Sequence, residues 1–305
     1  MADHTIPTQA EFDRWVYEEH NWGRWGKDDD SGAVNLITDA KRLAAARLVK
    51  RGRSISLSRV LPVDPSPGNA RPANYWMHTT QHPGGVAYAA DYVGTEFHGV
   101  ATTHLDALCH YWGEKGMWNG RDPKEVIKFD GATFGTVERY VDGIITRGVL
   151  LDVPRHRKQP YVKVGEPVHD WELEEIMHAQ GVRLEPGDAL VVYSGRERYE
   201  QDFPQADYTS NARPGLHATC MRFIKKHDIA VLVWDAMDAR PTGYKTLSTI
   251  HCAIFAYGIA LLDNAYLATL AQACAEEKRY EFMLTIAPLR VKGGTGSPAN
   301  PIALL

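Results

Sequence analysis

Cysteine is scarce and scattered in this chain of 305 residues: Cys109, Cys220, Cys252 and Cys274 form no C-x-x-C pair. That excludes a dithiol redox motif or a zinc ribbon built on cysteine, and it excludes the disulfide framework of small secreted domains. No apolar run approaches the roughly 20 residues of a membrane-spanning helix. Basic clusters are also missing. Lys and Arg total 34 against 38 Asp and Glu, for a net charge of −4, so the footprint of a nucleic-acid-binding protein is absent. The first residues, MADHTIPTQAEFDRW, hold no apolar stretch of the signal-peptide kind, and a cytoplasmic protein is expected.

What is present is an ordinary globular composition, 44% hydrophobic and 24% charged, in a chain long enough to bury a full core. No internal repeat interrupts it. Residues 1–35, rich in Trp, Gly and Asp, read as an irregular N-terminal arm. Asp39 to Val49 has helical spacing, and Ser54 to Leu61 alternates like a strand. Residues 62–85 carry many prolines and glycines without a period and read as a long loop of the kind that often acts as a lid. Ala87 to Phe97 is strand-like.

Further on, the apolar runs 148–153 and 189–195 read as buried strands, separated by an amphipathic helix at 171–181 that Gly181 closes. A helix at 216–228, a strand at 229–238, a helix at 267–279 and a strand at 280–291 complete the alternation. With no linker between these elements, the pattern predicts one α/β domain over 1–305 with a mixed sheet.

Thirteen histidines are many for this length, and they concentrate in HGVATTHLDALCH, residues 98–110. His104 and Asp106 stand two apart, so an extended backbone projects both to one face. Imidazole and carboxylate together suit zinc, manganese or iron. A turn after the strand would bring His110 back over the same point. His98 has the same parity as His104 if the strand is unbulged. Cys109 points away from His110 on any extended geometry and reads as apolar filling.

A catalytic metal needs about three protein ligands and an open position, so the cluster requires help from elsewhere. His251 and Asp263 bracket the apolar stretch HCAIFAYGIALLD, where an unpartnered carboxylate would be costly. His217, at a helix start, is a weaker candidate.

These residues resemble the cyclase-family metal hydrolases that include bacterial kynurenine formamidase and isatin hydrolase. The family signature H-x-G-T-H-x-D-x-P-x-H is similar to residues 98–110. WGKDDDSGAVN (25–35), LEPGDALVVYSG (184–195) and GGTGSPANPIA (293–303) resemble further family segments in the right order.

The resemblance implies a swivelling β/β/α-type fold: one mixed sheet flanked by helices. It also implies a divalent metal, zinc or manganese, as one or two ions. By the same resemblance His104, Asp106, His251 and Asp263 hold the metal and His110 is the general acid/base. The family's first signature histidine falls at Val100, so either a bulge returns His98 to the metal or that ligand is missing. Leu108 replaces a proline, and Asp263 stands where the formamidase branch has glutamate. Family members are typically homo-oligomers, so a dimer or tetramer is expected, with the N-terminal arm a candidate for reaching across.

The expected activity is hydrolysis of an amide, lactam or ester by metal-activated water, with His110 moving the proton. Two alternatives stay open: ring-forming cyclisation or dehydration at the same site, and a catalytically inactive metal-binding protein. Trp25, Trp76 and Trp112, with Trp22, Tyr75 and Trp118, lie in irregular segments around the cluster. If they converge they form a pocket for a small, aromatic substrate. If they do not, they staple loops to the core.

Overall fold

The N-terminal segment is helical where composition suggested an irregular arm. In the computed structural model, which describes residues 4–305, helix α1 runs from Gln9 to Tyr17. A reciprocal capping box starts it: Thr8 Oγ1 accepts from Glu11 N, and Thr8 N donates to Glu11 Oε2 at 2.7 Å. Phe12, Trp15 and Val16 form its buried stripe. Only these three of its nine residues are buried, and the Trp, Gly and Asp that follow masked so short a stripe.

Helix α2 (Asp39–Ala46) follows, with Thr38 as its N-cap, and then a short strand β1 (Ser54–Ser56). The expected loop at 62–85 is half strand. Strands β2 (Asn74–Gln81) and β3 (Ala87–Gly94) pair antiparallel as an isolated two-stranded ribbon. β4 (His104–Asp106) comes next, then α3 (Pro123–Val126) and a small hairpin of β5 (Ile127–Lys128) and β6 (Gly131–Ala132).

The second half holds the expected strands and helices with α4, α6, α8 and β10 added between them: β7 (Ile144–Asp152), α4 (Val153–Arg157), α5 (Asp170–Gln180), β8 (Ala189–Tyr193), α6 (Arg196–Asp202), α7 (Cys220–Lys226), β9 (Val231–Trp234), α8 (Cys252–Tyr257), β10 (Ala260–Asp263), α9 (Ala268–Glu277) and β11 (Glu281–Ile286). Two short strands, β12 (Gly296–Pro298) and β13 (Ile302–Leu304), end the chain. Gly181 closes α5 in the left-handed conformation, φ 68°, as expected of a C-cap glycine.

One nine-stranded mixed sheet organises these elements in the order β1-β13-β11-β7-β8-β9-β10-β4-β12. Its middle, β7 to β10, is parallel, and its flanks are antiparallel. Parallel strands covered on both faces must be apolar throughout. VLVW of β9 and ALLD of β10 are accordingly buried at every position. Helix α8 is buried all round, so it lacks an amphipathic period and reads in sequence as a plain apolar run. The parallel strands end at Asp152, Tyr193, Trp234 and Asp263, and the site assembles around the carboxyl end of β10.

Candidate metal centre

Strand β4 is three residues long, and its two outer residues are the chemistry. His104 and Asp106 project to one face while Leu105 fills the core on the other. β4 lies antiparallel to β10 with His104 directly opposite Asp263. His104 Nε2 therefore stands 3.4 Å from Asp106 Oδ1 and 4.0 Å from Asp263 Oδ2. The other ring nitrogen, Nδ1, donates to the Thr102 carbonyl at 2.8 Å. A carbonyl can only accept, so when the ring is neutral its lone pair lies on Nε2, turned inward where a cation would meet it. Burial opposes a charge on His104, but Asp106 and Asp263 outweigh it and hold its pKa up at about 9.

His98 reaches the same carboxylate from an irregular loop, residues 95–103, and not from the strand parity that its spacing suggested. Its Nδ1 lies 2.8 Å from Asp106 Oδ1, and its Nε2 lies 2.9 Å from Thr295 Oγ1. Val100, where the signature calls for histidine, is buried, and its carbonyl accepts from Arg196. The loop thus brings His98 beside Asp106 without a bulge in the strand.

On the far side of β4 a turn closed by His110 N to Ala107 O returns His110 over the site, with Nε2 3.7 Å from Asp106 Oδ2. Burial outweighs Asp106 and pulls the His110 pKa down to about 4, so its ring is neutral at pH 7. His98 and His110 are 23% and 24% exposed in their side chains, which makes them the open side of an otherwise buried cluster.

His251 is the N-cap residue of α8. Its Nε2 lies 3.3 Å from Asp263 Oδ2, and its Nδ1 lies 2.6 Å from Asp238 Oδ2. Sequence reasoning passed over Asp238. It follows β9 fully buried, takes a second bond from Ile250 N, and is held down at about pKa 2; burial opposes that shift and His251 overrides it. Its signal was available, because a carboxylate at the end of an apolar strand needs a partner. Trp234 Nε1 donates to Asp263 Oδ1, which fixes that carboxylate as well.

Two groups of ligating atoms result, each with its members within 4.8 Å of one another: His98, Asp106 and His110, and His104, Asp106 and Asp263. Asp106 belongs to both. It is completely buried, and neither oxygen has a partner in hydrogen-bond geometry although three imidazoles crowd it. A charged carboxylate in that position is expensive unless a cation meets it. The mixed nitrogen and oxygen donor set suits a borderline divalent ion.

Cys109 turns from the cluster toward the Gly294 carbonyl, and burial pushes its thiol up to about 12, so it is inert filling as expected. The tryptophans divide. Trp25 packs on the fully buried Trp118 with centroids 6.1 Å apart and under the Arg24 guanidinium, so it staples the N-terminal segment. Trp76 stacks on Tyr92 within the β2–β3 ribbon. Trp112 lines a cavity of about 550 Å³ with Tyr111, Phe255 and Cys252, and Tyr111 sits 5.5 Å from the His251 ring. His217 lies elsewhere, against His169 at 4.5 Å.

The Cyclase family model matches residues 24–240. The chain belongs to the cyclase family. Among solved structures it is similar to a novel cyclase at 28% identity, with a TM-score of 0.84, over 94% of this chain and 97% of that one. It is also similar to an isatin hydrolase bound to the product analogue thioisatinate, at 19% identity and TM-score 0.57, over 87% of this chain and 95% of that one. A third likeness is to a protein of Bacillus stearothermophilus described as a predicted metal-dependent hydrolase, at 12% identity and TM-score 0.51, over 82% and 97% of the two chains. At those identities the last two establish a common fold. No curated protein matches the chain.

Proposed function

We propose that this member of the cyclase family is a metal-dependent hydrolase that cleaves the carbonyl–nitrogen or carbonyl–oxygen bond of a small amide, lactam or ester. Asp106 carries the reading: a buried carboxylate with both oxygens free of hydrogen bonds, shared by two groups of ligating side chains. His98, His104, Asp106, His251 and Asp263 would hold zinc or manganese, as one ion or two. Bound there, the cation supplies Lewis acidity, polarising a carbonyl and lowering the pKa of water from 15.7 toward about 7.

The chain's own groups do the rest. His110, neutral at pH 7 and on the open side, accepts a proton at Nε2 and returns it to the leaving nitrogen or oxygen. Asp238 holds the His251 ring in one tautomer, and the Thr102 carbonyl does the same for His104. The cavity beside Tyr111, Trp112 and Phe255 offers aromatic walls to a small substrate.

The activity named for the isatin hydrolase relative makes isatin, a cyclic amide, the first probe, with an N-formyl arylamide as the second. The assay runs in ¹⁸O-labelled water with zinc or manganese supplied. Hydrolysis requires one labelled oxygen per product molecule. Turnover without label identifies ring formation or dehydration instead, and no turnover of any amide, lactam or ester contradicts the proposal.

A further inference from the structure

Residues 99–103, the link between His98 and His104, lie in neither helix nor strand, yet Val100, Thr102 and Thr103 are buried. Buried carbonyls outside a ladder need partners from elsewhere. Two side chains supply them here. Asn264 Nδ2 donates to the Gly99 carbonyl at 2.8 Å and to the Thr102 carbonyl at 2.9 Å. Arg196 Nη2 donates to the Val100 carbonyl. The two side chains are themselves joined, Arg196 Nη1 donating to Asn264 Oδ1 at 2.7 Å. Thr103 Oγ1 adds a return bond, donating to the Asn264 main-chain carbonyl at 2.7 Å.

Asn264 suits this place in its backbone as well. It follows Asp263 in the left-handed region, φ 56°, which asparagine enters more readily than most residues, and it is fully buried. Arg196, at the start of α6, is anchored from its other side. Its Nε donates to Glu200 Oε1 at 2.7 Å and its Nη1 also to the Asp235 carbonyl at 3.1 Å. The guanidinium lies 3.9 Å over the Tyr208 ring. Glu200 Oε2 accepts in turn from Arg59 Nη1 at 2.8 Å. The cation is therefore fixed by an anion and a ring before it meets the loop.

We propose that Arg196 and Asn264 are positioning residues for the metal centre: a clamp that seats the 99–103 loop and so holds His98 and His104 against Asp106. The inference rests on the metal centre of the proposed function. At one end of the loop the grip falls on Gly99, next to His98. At the other end the Thr102 carbonyl accepts from His104 Nδ1 as well as from Asn264 Nδ2. Both of its lone pairs are then used, and Asn264 fixes the group that sets the His104 tautomer. Asn264 also adjoins Asp263, so one side chain ties the loop to the strand that carries another ligating carboxylate. Val100, where the signature has histidine, gives the clamp its carbonyl.

The test is cobalt(II) binding by the full-length, metal-free chain, followed by visible absorption and by chelator competition. Asn264→Gly keeps the left-handed backbone and removes the three side-chain bonds. It is expected to fold by circular dichroism, to bind cobalt about 10–100-fold more weakly than the wild type, and to shift the cobalt absorption bands. Arg196→Lys keeps a cation beside Glu200, but one nitrogen cannot reach Val100, Asn264 and Asp235 together, so a loss in the same direction is expected. Thr146→Val removes a buried bond in β7, from Thr146 Oγ1 to the Gly187 carbonyl at 2.7 Å. That control is expected to lower the urea midpoint and to bind cobalt as the wild type does. Hydrogen exchange at residues 99–103 of the metal-free chain is expected to be faster in Asn264→Gly. Wild-type affinity and spectrum in a folded Asn264→Gly chain, an equal loss of affinity in Thr146→Val, or unchanged exchange at 99–103 each overturns the clamp. A wild type that binds no cobalt overturns the metal centre and the positioning role with it. None of these readouts uses turnover, so the hydrolase reading can fail without affecting them.

Discussion

His98 and His110, twelve positions apart in sequence, stack face to face with ring centroids 3.9 Å apart and planes 5° from parallel. Each ring approaches a different oxygen of Asp106. The stack separates two roles that a substitution can distinguish. His98→Phe keeps a flat ring against His110 and removes the ligating nitrogen. Metal affinity, measured by competition with a chelator, is expected to fall by at least the ~10–100-fold that losing a ligand's supporting partner costs. Unchanged affinity would remove His98 from the ligand set.

Asp238 acts at one remove from the metal. Asp238→Asn preserves shape but takes away the carboxylate that accepts from His251 Nδ1 at 2.6 Å. The expected result is a metal affinity about 10–100-fold weaker, with the fold retained by circular dichroism. Equal affinity in the variant would show that His251 is positioned by packing alone.

His110→Ala is expected to leave metal bound and to lower kcat by about 10²–10⁴-fold on whichever substrate the screen identifies. Full turnover by that variant would exclude His110 as the proton carrier.

Outside the two groups of ligating side chains, His169 and His217 are expected to set an acid limb of stability. Burial lowers both to a pKa of about 4, with Arg157 and Arg222 adding to the effect on His169, and His169 itself adding to that on His217. Between pH 6.5 and 4 the unfolded chain therefore binds protons that the folded chain refuses, so stability falls as pH falls through this window. A His169→Gln/His217→Gln double variant is expected to flatten that slope in urea midpoints measured from pH 7 to pH 4. An undiminished slope would assign the acid sensitivity to other groups.

The parallel strands β7, β8 and β9 and the helices at 170–180 and 268–277 were legible because apolar runs and Gly181 mark them directly. The ribbon was not. Proline and glycine around it signalled a loop, and its residues lack the inward alternation of a strand because neither face meets a core. Helix α8 was hidden for the opposite reason, being buried on every side.

In the site, His104, Asp106 and His110 followed from local spacing, and the turn that returns His110 was anticipated. His98 depended on the path of an irregular loop, which periodicity does not report. Asp238 carried a signal, a carboxylate at the end of an apolar strand. That its partner is His251 depended on a contact between the segment after β9 and the start of α8 that only the assembled fold creates.

The most direct measurement is zinc and manganese content per chain, by elemental analysis, of the wild type and of Asp106→Asn purified alike. The wild type is expected to hold one or two ions per chain, and the variant, isosteric but without the buried charge, to hold none. A wild type that takes up no divalent metal when supplied with it, or an Asp106→Asn chain that keeps a full complement, would contradict a metal centre built around Asp106.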